Sequence, residues 1–347
     1  MLSTAPGAAL VSKRGKRNCR IIRLISLAVL IPITLLGQEP YADVARSTFL
    51  KLLKSSSEAP SVAPTVHGRA TEQGLMIEDL SWESTDAATV PAYLIRPDGP
   101  ERVLPAVVCL HGSSGSRESM VTPQFGPGEW TRPGRERPHT RLLGWARELA
   151  RRGFVTLSIT QRGLDRRQPP INVQANYMLV QGRTAMGELL HEIRQGLTYL
   201  AGRSDVGKIG VTGMSFGGIT SFYAWLADDR AFATAPICGG VGSLESFIRL
   251  GRLSYHGTYW WVPVMLGAGD HGDFAAAMAP RPLMLWAPTS DVGMPREGVD
   301  RFRQRVEPAY RQAGALDALR IHQPPGEHRF TAEAFEAMAS FFGEVLR

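Results

Sequence analysis

The stretch that most constrains this 347-residue chain is Lys208-Ile209-Gly210-Val211-Thr212 running into Gly213-Met214-Ser215-Phe216-Gly217-Gly218. A short apolar strand enters a tight, glycine-lined turn, and an apolar helical run over 216–227 leaves it. As a bare pattern G-x-S-x-G is weak. Between a strand and a helix it becomes specific, because small flanking residues let the backbone take a strained turn that lifts a serine Oγ above the end of a sheet. The helix that follows brings its N-terminal dipole to the same spot, where developing negative charge is favoured.

The rest of the body fits such a sheet. Short, mostly apolar runs at 104–110, 154–160, 208–212, 231–237, 282–287 and 318–322 read as buried parallel strands, and 75–82 and 90–95 carry the rough alternation of antiparallel ones. Helical periodicity is expected over 141–152, 184–201, 216–227, 297–312 and 331–346. In the second of these, Leu189, Leu190, Ile193, Leu197 and Leu200 form one apolar stripe. Strands alternating with helices predict an α/β fold with a mostly parallel central sheet covered on both faces. Two stretches fit neither pattern. The Pro- and Gly-rich 121–140 reads as a long loop, and 239–279 as a small inserted cap.

A serine hydroxyl is a poor nucleophile unless a base takes its proton and a third group orients that base. Elbows of this kind carry the acid and then the base downstream of the serine. Beyond Ser215 the histidines are His256, His271, His322 and His328. His322 falls inside a strand and reads as a packed or edge residue, and His256 and His271 fall in the insertion and read as lid or pocket-rim residues. His328, in the turn PPGEHRF between the last strand and last helix, is the expected base. Asp291 follows the strand PLMLWA and is the expected acid. It is favoured over Asp270 and Asp273 in the insertion and over Asp300 on a helix face. An oxyanion needs two preorganised N–H donors. Phe216 is expected to give one, and the turn Leu110-His111-Gly112-Ser113-Ser114-Gly115 the other, with Ser113 ahead of Ser114 and His111 as a support. The aromatic run YHGTYWW suggests Tyr259, Trp260 and Trp261 as pocket residues, with packing as the alternative.

Taken together, VVCLHGSSGSRE, YLAGRSDVGKIGVTGMSFGG, FAAAMAPRPLMLWAPTSD and PPGEHRF resemble α/β-hydrolases of the dienelactone hydrolase-like and acetylxylan esterase-like group. The resemblance spans most of 90–346. It implies an α/β-hydrolase fold with Ser215 as nucleophile, Asp291 as acid and His328 as base, and it implies a serine esterase acting on a small-molecule or carbohydrate ester. Dienelactone hydrolase itself has Cys where this chain has Ser215, which argues against lactone cleavage. The elbow also resembles that of prolyl oligopeptidase-type peptidases, so a peptidase or amidase is the alternative, and a binding protein on the same fold a third reading.

Charge separates one end from the remainder. The net charge is +7 and the pI about 9.6, yet Lys13, Arg14, Lys16, Arg17, Arg20 and Arg23 all precede the first acid, Glu39. Setting those six cations and Glu39 aside from the totals of 39 and 32 leaves 33 basic against 31 acidic residues. A nearly neutral body argues against nucleic acid as a partner. The cationic block is followed by the uncharged, mostly apolar 13-residue run LISLAVLIPITLL, the length of a signal-peptide core. Residues 1–42 are therefore expected to be a cleaved signal peptide or a short membrane anchor, and the protein to be exported or tethered by this segment. Residues 43–72, with their SSSEAPSVAPTV run, are expected to be a linker, and 73–347 the hydrolase domain. Cys19, Cys109 and Cys238 lack C-x-x-C spacing, so neither a structural zinc site nor a disulfide framework is indicated, and no cofactor or metal is expected.

Overall fold

The structure, a computed structural model, describes residues 39–100, 102–131 and 139–347. The cationic block and the apolar run over 24–36 lie outside the described residues. Among those described, no helix is long and apolar enough to cross a membrane.

In chain order the strands are β1 (Thr65–Glu72), β2 (Leu75–Glu83), β3 (Thr89–Pro97), β4 (Leu104–Leu110), β5 (Gly126–Trp130), β6 (His139–Leu143), β7 (Val155–Ile159), β8 (Val206–Met214), β9 (Ala231–Ile237), β10 (Leu283–Trp286) and β11 (Leu319–His322). Nine of them form one sheet in the order β1-β2-β3-β7-β4-β8-β9-β10-β11, and β5 pairs with β6 alone. From β7 to β11 every neighbour is parallel, while β1, β2 and β3 add an antiparallel edge. The helices are α1 (Glu39–Leu53), α2 (Arg117–Val121), α3 (Trp145–Arg151), α4 (Ile171–Val180), α5 (Ala185–Ala201), α6 (Phe216–Ala227), α7 (Leu244–Arg249), α8 (Met265–Ala268), α9 (His271–Ala277), α10 (Arg296–Gln312) and α11 (Ala332–Val345).

Strand alternation divides the core into two layers. Ala106, Val108 and Leu110 of β4 face α5, α6, α10 and α1, whereas Val107 and Cys109 face α3 and α11. Both sets are fully buried, which is why β4, flanked by β7 and β8, reads as the unbroken apolar run LPAVVCL. The stripe of α5 is buried from Leu189 to Leu200, and the helix starts where the Thr184 hydroxyl accepts from Gly187 N–H at 3.0 Å. The mostly parallel, doubly covered α/β architecture is as expected.

Three regions depart from expectation. Residues 43–72 are not a spacer. Helix α1 buries Phe49, Leu50 and Leu53, with the Phe49 ring 5.0 Å from Tyr223 and 5.3 Å from Phe274. The Ser/Pro stretch after it is held by its carbonyls, with Arg194 donating to Ser56, Ser57 and Glu58 and Gln195 to Ser61. Composition hides this anchoring because the donors come from α5, about 135 residues on. Second, 121–140 is not simply a loop. Gly126-Pro127-Gly128-Glu129-Trp130 pairs with 139–143 as the β5–β6 hairpin, and α3 consequently begins at Trp145 and not 141. Third, 239–279 carries α7, α8 and α9, and its His271 is fully buried. The imidazole lies 3.0 Å from Tyr223 Oη and 2.9 Å from the Gly242 carbonyl, so it is a core residue and not part of a pocket rim.

Candidate active site

The C-terminal ends of the parallel strands gather the candidate groups, the usual place for a site in an open α/β sheet. Ser215 follows β8 with φ 56° and ψ −115°, a conformation costly for a residue with a Cβ. The neighbouring glycines make the turn possible. A Cβ on Gly217 would stand 2.1 Å from the Leu110 carbonyl oxygen, and one on Gly213 would stand 2.5 Å from the backbone of Gly217. The elbow is tied down by Ser215 N–H donating to Ile237 O at 2.8 Å.

Asp291, in the loop after β10, is 2% exposed. Its Oδ1 accepts from Gly293 N–H at 2.8 Å, and its Oδ2 lies 2.8 Å from His328 Nδ1. His328, in the loop after β11, places Nε2 2.8 Å from Ser215 Oγ. A carboxylate can only accept, so Nδ1 carries the proton and Nε2 is left to accept from the hydroxyl. The arrangement can take a proton from Ser215 and return it to a leaving group. Asp270, Asp273 and Asp300 serve elsewhere. Asp270 caps α9 and accepts from Ser243 and Leu244, Asp273 pairs with Arg305, and Asp300 accepts from Gln323. His322 stands half-buried beside Trp286.

Phe216 is the first residue of α6, so its amide belongs to the helix turn that has no intrahelical acceptor. Ser113 lines the cavity at Ser215 together with Gly112, Ser114 and Gly115. That loop is held from behind by His111, whose Nδ1–H donates to Gly112 O at 2.8 Å while Nε2 accepts from Gln161 N–H at 3.1 Å. Gln161 in turn donates to His111 O and accepts from Thr220.

The cavity measures about 460 Å³. Its apolar wall is Met120, Leu142, Trp145, Met214 and Phe330, and its polar wall is the 111–115 loop, Arg141, His328 and Arg329. The expected pocket aromatics do not line it. Tyr259 packs on Phe216 at 5.2 Å, and Trp260 is 2% exposed and stacks on His256 at 3.8 Å. Trp261 belongs to a separate apolar cleft with Leu244, Ile248 and Met265. The run packs the inserted segment against α6 and leaves the opposite wall to the hairpin. His256 is shielded by these rings, and burial, followed by the proximity of His328, pushes its pKa down to about 4. The lining residues Arg141 and Leu142 escaped the sequence reading because they sit in β6, where a helix was expected.

Cys238 also approaches the cluster, with Cys238, Asp291 and His328 offering ligand atoms within 4.8 Å of one another. The donor set fits a metal poorly. The thiol is held protonated, chiefly by burial and then by the Asp291 carboxylate, and Nδ1 of His328 is already paired with that carboxylate.

No family model matches the chain. It is 27% identical over 260 residues, 74% of this chain and 84% of the other, to YtaP of Bacillus subtilis (strain 168), provisionally named a hydrolase. Among solved structures it superposes with TM-score 0.65 and 19% identity on a Bacteroides fragilis NCTC 9343 protein provisionally named an acetyl xylan esterase, over 81% of this chain and 74% of that one. A glucuronoyl esterase from Solibacter usitatus matches with TM-score 0.61 and 16% identity, over 85% and 91%. Likenesses at this identity establish the shared fold.

Proposed function

We propose that this chain, which has the α/β-hydrolase fold, is a serine hydrolase that cleaves carboxylic esters through an acyl-enzyme on Ser215. The observation that carries the reading is one imidazole, His328, within 2.8 Å of both Asp291 and Ser215. In this mechanism His328 Nε2 takes the hydroxyl proton as Ser215 Oγ adds to the ester carbonyl. The tetrahedral oxyanion develops near the amides of Phe216 and Ser113, at the N-terminus of α6. Collapse breaks the bond to the alkoxide, which leaves with the proton from Nε2. Water then repeats the sequence on the acyl-enzyme and releases the acid. Buried Asp291 holds the tautomer and stabilises the imidazolium.

The names of the structural neighbours direct the substrate toward carbohydrate esters, acetyl or uronoyl. A panel of short-chain nitrophenyl esters, acetylated xylo-oligosaccharides and glucuronate esters tests this. Ser215→Ala is expected to lower kcat by about 10⁴-fold or more. Wild-type turnover in that variant overturns the assignment, and turnover of amides in preference to esters favours the peptidase reading.

Export is part of the same proposal, supported by the six cations ahead of an uncharged, mostly apolar run of 13 residues. Cell fractionation with intact-mass measurement separates the two forms. A soluble exported protein lacking about 42 residues marks a cleaved signal, and a full-length membrane-bound one marks an anchor.

A further inference from the structure

The cavity beside Ser215 contains a cation with no counter-ion among the described residues. Its lining has His328, Arg141 and Arg329 but neither aspartate nor glutamate. Arg329 is an ordinary surface residue, with a side chain 70% exposed and Glu327 at 3.6 Å. Arg141 differs. Among the described residues no carboxylate lies within 4.0 Å of it, its one hydrogen bond runs from Nη2 to Ser114 Oγ at 3.0 Å, and its Nε is buried with no acceptor. Arg141 is itself half-buried, and four other buried or half-buried guanidinium groups among the described residues are answered. Arg162 and Arg167 meet on Glu192, Arg194 meets Asp228, and Arg281, which lacks a carboxylate, donates to the carbonyls of Asp228 and Ala231.

A guanidinium has five N–H donors and keeps its charge in proteins. Withdrawing it from water without a partner is unfavourable, and an anion bound there removes that penalty. Burial pulls the Arg141 pKa down from its ordinary value, the direction expected of a cation in want of a counter-ion. The group also has a prepared seat. Nη1 lies 3.1 Å from the point where a Cβ on Gly115 would stand, so a side chain there would crowd it. Gly115 N–H closes a turn on Gly112 O at 2.9 Å, and a Cβ on Gly112 would stand 3.4 Å from the Ser215 Cβ. The cation is thus one turn of chain from the nucleophile, within reach of a second group on the same substrate.

We propose that the cavity takes an ester that also carries a free carboxylate, and that Arg141 is the residue that binds this carboxylate and sets the specificity. The inference rests on the esterase reading for its consequence in turnover. Its core, an anion subsite at Arg141, can be measured without turnover.

Two matched pairs test it. 4-Acetoxybenzoate against methyl 4-acetoxybenzoate places the charge on the alcohol side, and monomethyl glutarate against methyl hexanoate places it on the acyl side. The quantity read is the ratio of kcat/KM for the anionic member to that for the neutral one. In at least one pair wild type is expected to favour the anion. Arg141→Gln is expected to lower that ratio by about 10- to 100-fold, mainly through KM, with Arg141→Lys retaining part of it. In parallel, calorimetric binding of 4-hydroxybenzoate and glutarate is measured in the Ser215→Ala protein with and without Arg141→Gln. Binding is expected to weaken with added salt and to be lost with Arg141. Unchanged ratios in Arg141→Gln, or binding indifferent to Arg141, overturn the proposal. Absent turnover with Arg141-dependent binding overturns only the esterase reading.

Discussion

An arginine pair and a lone arginine near the C-terminal ends of the sheet strands meet opposite fates. Arg162 and Arg167 converge on Glu192 at 2.6 to 2.8 Å, with all three side chains 10% exposed or less, and Arg162 also donates to the Thr85 carbonyl and hydroxyl. At the cavity, Arg141 has a serine hydroxyl and no acid among the described residues. The first cluster is saturated and fixes the chain that follows β7, including Gln161 and, through it, the His111 loop. The second holds a charge in place and leaves it to be neutralised by something else. The same residue type serves folding where its donors are answered from within and is available for recognition where they are not.

The largest test of that division lies at the site. Asp291→Asn is expected to lower kcat by about 10⁴-fold through loss of the Nδ1–H tautomer, while the melting curve moves less than in the variants that follow. A variant that unfolds in proportion to its loss of rate would erase the distinction between site and scaffold. Glu192→Gln takes away the carboxylate that Arg162 and Arg167 share and should cost about 3–5 kcal/mol of stability by denaturant titration. A loss below about 1 kcal/mol would mean the saturated cluster is not a structural device. On the same scaffold side, Phe49→Ala should cost about 3–5 kcal/mol if α1 belongs to the core, and a neutral result would return residues 43–72 to the status of a spacer. The smallest expected effect concerns His256. The unfolded chain binds a proton there near pH 6.5 that the folded chain refuses until about 4, so acidification through this window favours unfolding. Melting temperature should fall from pH 6.5 toward 4 more steeply in wild type than in His256→Gln, and equal slopes would remove His256 as a source of acid sensitivity.

Strands β4 and β9 and helix α6 appear at the residues expected from the sequence, because a strand buried on both faces, or a helix buried all round, leaves a continuous apolar run. Ser215, Asp291 and His328 could be chosen as candidates because each follows a strand, and the parallel sheet brings those strand ends together. The hairpin that walls the cavity gave no such signal. In β5, GPGEW has the composition of a turn, and it becomes a strand only through its pairing with 139–143. Helix α1 does carry an apolar spacing in Ala42, Ala45, Phe49, Leu50 and Leu53, but it is short and lies between the basic leader and the Ser/Pro stretch.

What the sequence determined by itself is therefore local: the strand, the elbow and the helix, fixed by apolar runs and glycine spacing within a few residues. What only the tertiary structure decided is which polar groups found partners. Arg194 reaches carbonyls about 137 residues away, Glu192 collects two arginines from the loop after β7, and Arg141 meets no acid among the described residues. Charge pairing depends on distances in space, and a one-dimensional pattern does not contain them.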